Sequence, residues 1–303
     1  MPKVSVIMPC FNHARFLKEA ADSVLRQTHT DLELVIIDDC SLDNSWEVMT
    51  RLAAADSRVE LVRHEFNQGL PKSRNDGLQV AKGDLIAFCD ADDVWETGKL
   101  TKQVALLQDH PSEDVVYCDT FIIDGNSELT GERFSELYPL PKTSSGWLFQ
   151  ELINRNFINV QSALMRRRLL ESVHGFDEDL GVLEDWWYWI QLSRTHRFLY
   201  SPEPLARYRV HSQSMNAMKR RSFPVNRIKI YRRMLRKYPD LSRRTRADIA
   251  YYMGMDLRIL GKRPMARRLL WNAVLLSATE LRGSSRLCKA MARLIPFNFP
   301  LAR

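Results

Sequence analysis

The 303-residue chain has no CxxC pair and no Cys/His spacing of the kind that holds zinc, and its five cysteines (Cys10, Cys40, Cys89, Cys118, Cys288) are scattered and odd in number. That argues against a disulfide framework and a structural metal, and for free thiols in a reducing compartment. No apolar run approaches the roughly 20 residues that span a bilayer. The opening MPKVSVIMPCFN carries one lysine and a brief apolar run, Val4 to Met8, without a small-residue cleavage site, so it reads as a first strand rather than a signal peptide. No GxGxxG follows that strand, and the Pro9-Cys10 turn is wrong for cradling a pyrophosphate, which argues against a dinucleotide-dependent oxidoreductase. Low-complexity segments are absent too. A cytoplasmic protein is expected, soluble or peripheral on a membrane.

Acidic residues are scarce in one place only. Residues 218–303 hold about 22 of the 44 Lys+Arg but about 4 of the 37 Asp+Glu, roughly +18, against roughly −11 for residues 1–217. The overall +7 hides this asymmetry, which hints at an anionic partner for the tail. With 45% hydrophobic and 27% charged residues the composition is that of a folded protein, long enough for one large domain and an appendage.

The first hundred residues alternate. Val4 to Met8, Leu32 to Ile37, Val59 to Val62 and Leu85 to Phe88 read as strands. Ala14 to Gln27, a stretch opened by Asp43 or Asn44 and running to about Ala54, and Leu70 to Val80 read as helices. That order predicts an α/β fold with a parallel sheet covered by helices, whose ligand site lies beyond the carboxyl ends of the strands. Further strands are expected at Val115 to Tyr117, Phe157 to Met165 and Arg207 to His211, with a turn at Asp124-Gly125-Asn126 and a helix from Trp186 to Arg194. Past Met215, three helices are expected over Val225 to Lys237, Thr245 to Leu260 and Pro264 to Thr279, followed by a basic amphipathic segment, Ser285 to Ile295.

Polar residues collect at three of the strand ends: Pro9-Cys10-Phe11-Asn12, Asp38-Asp39 and Asp90-Ala91-Asp92-Asp93. Three crowded carboxylates become tolerable around a divalent cation, and Mg²⁺ or Mn²⁺ prefers a few carboxylates with phosphate oxygens. The alternative, a cap for a helix near Glu96 to Leu107, needs one aspartate and not three. Glu184-Asp185 opens a helix. Acids there complement the helix dipole, or one of them serves as a general base. Arg74, in a helix behind the Asn67-Gln68-Gly69 loop, either pairs with a phosphate or is solvated. The same pair of readings applies to Arg207, Arg209 and His211. Trp186, Trp187 and Trp189 cannot all face one side of a helix; core packing competes with an apolar wall for a sugar.

Read in order, VSVIMPCFNHARFLKEAADSVLRQTHTDLELVIIDDCSLDNS, NQGLPKSRNDGLQVAKGDLIAFCDADD, GVLEDWWYWIQL and YRVH resemble the family 2 glycosyltransferases of the GT-A fold, over about residues 3–212. The resemblance implies a Rossmann-like, mostly parallel sheet flanked by helices. It implies an inverting transferase domain over 1–215, with a basic α-helical region over 216–303 outside it. The donor would be a nucleotide-diphospho-sugar, usually of uridine, and the cofactor Mn²⁺ or Mg²⁺. Pro9, Phe11 and Asn12 match the loop lining the nucleotide, and Asp39 the residue that hydrogen-bonds the base. Asp90-Ala91-Asp92 matches the DxD motif that contacts ribose and metal, Asp93 extends it, and His211 matches a position that joins the metal or the diphosphate in some relatives. Asp185 matches the catalytic base, with Glu184 and Trp186 beside it as acceptor or sugar contacts. Phe11 stands where tyrosine is usual and Cys40 where glycine is usual. The acceptor expected is a glycan or a lipid-linked sugar, with the basic tail on an anionic membrane surface and no nucleic-acid partner. The competing expectation is a nucleotide-sugar-binding protein that has lost catalysis and serves another transferase.

Overall fold

A computed structural model describes residues 2–212, 214 and 220–278. Two compact units divide the chain, Met1–Met218 and Lys219–Arg303. The segment Ser285 to Ile295 lies outside the described residues.

The first unit begins with β1 (Val4–Cys10), α1 (Ala14–Leu25), β2 (Leu32–Asp38), α2 (Ser45–Ala55), β3 (Val59–Arg63), α3 (Leu70–Val80) and β4 (Leu85–Phe88). Every residue of β1, β2 and β4 is buried, the mark of central strands covered on both faces. They pair in parallel in the order β3-β2-β1-β4, so the carboxyl ends of all four open on one edge. The helix α3 lies hard against this sheet at Gly77. A Cβ there would come within 2.5 Å of Ile7 Cγ2 and 2.9 Å of Ile37 Cδ1, so only glycine lets the helix approach.

The second half adds β5 (Val94–Trp95), α4 (Lys99–Asp109), β6 (Val115–Ile123), β7 (Leu129–Arg133), α5 (Phe134–Leu137), α6 (Phe149–Asn154), β8 (Ala163–Arg166), α7 (Glu184–Ser193) and β9 (Phe198–Arg209). Beyond β4 the sheet becomes mixed, because β8 pairs antiparallel with both β4 and β6. The expected Phe157 to Met165 strand is confined to Ala163–Arg166; ahead of it Asn159 caps a 3₁₀ turn, accepting from Gln161 N–H at 3.2 Å. Conversely, β9 starts well before Arg207. It contains Pro202 and Pro204, and the register against β6 skips from Ser201 to Pro204 between Cys118 and Asp119, an irregularity that absorbs Pro202. The strand then runs parallel to β6 as far as Arg209, delivering His211 to the rim.

The second unit contains α8 (Phe223–Lys237), α9 (Arg243–Ile259) and α10 (Arg263–Ala278). Ser242 caps α9 by accepting from Thr245 N–H at 3.1 Å. Asp256, 2% exposed, is satisfied by the Arg227 guanidinium, which ties α9 to α8. The α9–α10 pair packs through Gly254 against Leu270 and Ala266.

Candidate active site at the strand ends

The loops after β1 and β2 hold each other. Asn12, in the left-handed region at φ 59°, accepts from Leu42 N–H at 2.7 Å and donates its own N–H to Ser41 Oγ at 3.0 Å. Cys40 is also left-handed, at φ 61°, which explains why glycine suits that position. Pro9 is buried at the end of β1 and Phe11 is 39% exposed. Asp39 is 3% exposed and accepts three hydrogen bonds. Its Oδ1 takes Gln68 N–H at 2.7 Å and faces His64 Nδ1 at 2.8 Å; its Oδ2 takes Gly69 N–H at 2.8 Å. Gly69, at φ 91°, turns its N–H inward in a conformation other residues avoid. One acceptor position of the carboxylate remains.

The three aspartates after β4 have three different surroundings. Asp90 meets Arg74, whose Nη2 donates to both carboxylate oxygens at 2.7 and 3.1 Å. Asp92 Oδ2 lies 3.0 Å from His211 Nε2. Burial works against its charge, but the His211 hydrogen bond and the nearby His13 and His211 prevail and hold its carboxyl below the usual range. Asp93 is 1% exposed and accepts from Arg209 N–H at 2.8 Å. Burial, with Asp92 and Asp90 beside it, pushes its carboxyl well above the usual range, which favours the neutral acid. Asp93, expected as a metal ligand, is thus the most enclosed of the three, with its carboxyl held against the Arg209 backbone of β9. Asp90, expected as a ligand and a nucleotide contact, has each oxygen meeting Arg74 once, which leaves an acceptor position on both.

One cluster among the described residues has the make-up of a cation site. A nitrogen of His13, an oxygen of Asp92 and a nitrogen of His211 lie within 4.8 Å of one another. Two imidazoles and one carboxylate, with phosphate oxygens to complete the shell, suit Mn²⁺ better than the harder Mg²⁺. His13, at the entry to α1, was not anticipated; its placement directly behind the Asn12 loop was the available signal.

Arg74 does not face an open phosphate site. It is 1% exposed, with Nη1 donating to Glu184 and Nη2 to Asp90. Burial opposes its charge, but Asp90 and Glu184 outweigh that and raise its pKa. Glu184 is itself 4% exposed, so the acceptor contact expected of it is replaced by this ion pair. Trp186 is 2% exposed and donates Nε1–H to Leu152 O at 2.6 Å, which makes it core rather than a sugar wall. Trp187 and Trp189 are buried as well.

Asp185 stands at the first turn of α7, behind Leu183 in a left-handed conformation at φ 64°. Its Oδ2 accepts from Asn156 Nδ2 at 2.9 Å and its Oδ1 from Trp186 N–H at 2.7 Å. Burial, reinforced by Glu184 and partly offset by Arg74 and these two bonds, pushes its carboxyl up to about 7. A second buried arginine, Arg209, braces the site. It donates Nε–H to Asp92 O at 2.6 Å, pairs with Glu19 at 2.8 Å and lies 4.6 Å from the Phe16 ring centre. Asn156 and His64 carry no sequence signal, since each acts through residues far away along the chain, whereas Arg209, read as a phosphate partner or solvated, proves to be a buried brace.

This arrangement of sheet and rim is the fold of the GT-A-type transferases. The structure overlays that of S. aureus TarS residues 1–349 in complex with UDP-GlcNAc with a TM-score of 0.68, at 19% identity, over 96% of this chain and 88% of that one. It overlays the mannosyltransferase PcManGT from Pyrobaculum calidifontis, in complex with GDP-Man and Mn²⁺, with a TM-score of 0.61 at 20% identity, over 96% and 79% of the two chains. The sequence profile of Glycosyl transferase family 2 matches residues 5–173, more than half of the chain, and the chain belongs to that family. An uncharacterized glycosyltransferase of Nostoc sp. is 36% identical over 176 residues, 58% of this chain and 54% of the relative. The chain thus spans about half the length of that relative. The UDP-Glc:alpha-D-GlcNAc-diphosphoundecaprenol beta-1,3-glucosyltransferase WfgD of Escherichia coli is 28% identical over 224 residues, 72% of this chain and 83% of that protein.

Proposed function

We propose that this chain moves a sugar from a uridine-diphosphate donor to a hydroxyl of a glycan or lipid-linked acceptor, with inversion at the anomeric carbon. The observation that carries the reading is Asp185, a carboxyl pushed up to about 7 on a helix that Arg74 ties to Asp90. A carboxylate of that basicity accepts the acceptor's proton near neutral pH, as the hydroxyl oxygen attacks the sugar from the face opposite the leaving diphosphate. Asn156 fixes the orientation of the base. On the diphosphate side, His13, Asp92 and His211 would hold a divalent ion. When bound, that ion supplies Lewis-acid neutralisation of the leaving group.

The base pocket supports uridine over guanosine. Asp39 Oδ1 is engaged by two donors and Oδ2 by one, which leaves room for a single N–H. Uracil and thymine each offer one, N3–H; guanine offers two adjacent donors that need two positions, so this count separates these pyrimidines from guanine. The donor in the TarS complex and the donor and acceptor in the name of WfgD are consistent with this choice. Thermal shift against UDP-, GDP-, dTDP- and CMP-sugars, with and without Mn²⁺, is the direct test. Mn²⁺-dependent stabilisation by UDP-sugars is expected; a response to GDP-sugars alone, or to no nucleotide, would sink the reading.

For the second unit we propose a membrane-surface role on the cytoplasmic face. No helix of the described residues is long and apolar enough to cross a membrane. Helix α10, however, exposes Trp271 (54%) and Leu275 (62%) together with Arg267 and Arg268. Aromatic and aliphatic side chains among arginines suit an anionic bilayer interface. Co-sedimentation with phosphatidylglycerol vesicles, lost on Trp271→Ala and absent with phosphatidylcholine, is the expected result; no sedimentation with either lipid would exclude it.

A further inference from the structure

Behind Asp39 runs a row of linked polar groups that the transfer chemistry does not touch. His64 follows β3 and is 7% exposed, its backbone N–H donating to Asp38 O at 2.9 Å. Its Nδ1 lies 2.8 Å from Asp39 Oδ1 and its Nε2 lies 2.9 Å from Asp76 Oδ2. Asp76 sits on α3, the helix that Gly77 lets settle against β1 and β2, and its other oxygen accepts from Lys72 one turn earlier. The imidazole thus bridges the carboxylates of Asp39 and Asp76, which leaves it little freedom to turn. Lys72, Asp76, His64 and Asp39 are therefore joined in one row of polar contacts that ends at the Asp39 carboxylate.

We propose that His64, anchored by Asp76, is a positioning residue for donor recognition: it keeps the Asp39 carboxylate turned so that one oxygen position faces the nucleobase. The inference rests on the reading of Asp39 as the uracil acceptor. The backbone N–H groups of Gln68 and Gly69, which belong to a loop, hold one oxygen each, and His64 adds a third contact, on the oxygen that Gln68 also meets. Linked hydrogen-bonding groups also polarise one another, so Asp76 contributes through His64 without touching the nucleotide.

The test is UDP affinity by calorimetry in the presence of Mn²⁺, on the full chain. His64→Leu is expected to weaken UDP binding at least tenfold, and His64→Asn, which restores a donor near the Nδ1 position, to recover most of that loss. Asp76→Asn leaves His64 and Asp39 in place and is expected to weaken binding two- to fivefold; it carries the test should His64→Leu fail to fold. In an Asp39→Asn background His64→Leu is expected to change affinity less than twofold, because its effect passes through Asp39. A general structural role would instead add its full loss in that background and would overturn the proposal, as would His64→Leu and Asp76→Asn both binding UDP like the wild type. Failure of the unmodified chain to bind UDP at all is a separate result: it removes the uridine reading and the proposal with it.

Discussion

Arg74 and Asp90 face each other as a two-oxygen ion pair, at 2.7 and 3.1 Å, and the same guanidinium reaches Glu184 one residue before Asp185. A single buried cation thus joins the DxD loop behind β4 to the helix that bears the proposed base, which are otherwise separated by about a hundred residues. Removing it strands two carboxylates in a site with little water. Arg74→Met is expected to destabilise the fold by about 3–5 kcal/mol. For a chain of this size that lowers Tm by roughly 10 °C, measured by thermal denaturation. Arg74→Lys keeps the charge but not the fork, and should fall between the two.

The pH dependence follows from Asp185. Its carboxyl, at about 7, must be ionised to take a proton. Below that pH the fraction of active base falls about tenfold per unit, so kcat/KM should drop on the acid side with an apparent pKa near 7. Asp185→Asn, which holds the geometry but cannot accept the proton, should lose activity by about 10²–10⁴-fold. A flat profile from pH 5.5 to 8 would count against the base assignment.

The metal site separates the three aspartates. His13→Ala and His211→Ala each remove a member of the cluster and are expected to weaken Mn²⁺ binding by roughly an order of magnitude or more, read by calorimetry with UDP present. Asp93→Asn should keep Mn²⁺ affinity within about twofold. Its amide oxygen can still accept from Arg209 N–H, as the neutral acid does, and the group is held against β9. A large loss in Asp93→Asn would mark it as a ligand.

Cys40 occupies a left-handed conformation that costs a side-chain-bearing residue about 1–2 kcal/mol. Cys40→Gly relieves this but adds freedom to the unfolded chain, so a net gain of about 1 kcal/mol is expected, seen as a Tm higher by a few degrees. A fall in Tm would mean that the Cys40 thiol, which lies 3.5 Å from Glu65 O, contributes more than the backbone strain removes.

Hydrophobic periodicity carried the alternating half of the fold to within a few residues; α3 and β4 match their expected bounds. It was weakest where an element depends on its neighbours. The strand β9 contains prolines that only the irregular register with β6 can accommodate, and β8 is shortened by a turn that Asn159 caps locally. At the rim, the ordered motifs placed Asp39, Asp90, Asp92, Asp185 and His211 correctly at element ends. They could not say which of these face outward.

By itself, then, the sequence determined the parallel half-sheet and the clustering of acids beyond its strands. Local pattern suffices there, because a buried strand must be apolar along its length and its polar residues must wait until it ends. The division of labour among those acids was decided only by tertiary structure. Asp90 pairs with Arg74, Asp93 is held against β9, Asp92 meets two histidines, and Glu184 and Trp186 are drawn inward while Asp185 stays at the first turn of α7. Those outcomes depend on which cation or donor arrives from a distant segment, and on how much water is left around each carboxylate. Neither is a property of the neighbours along the chain.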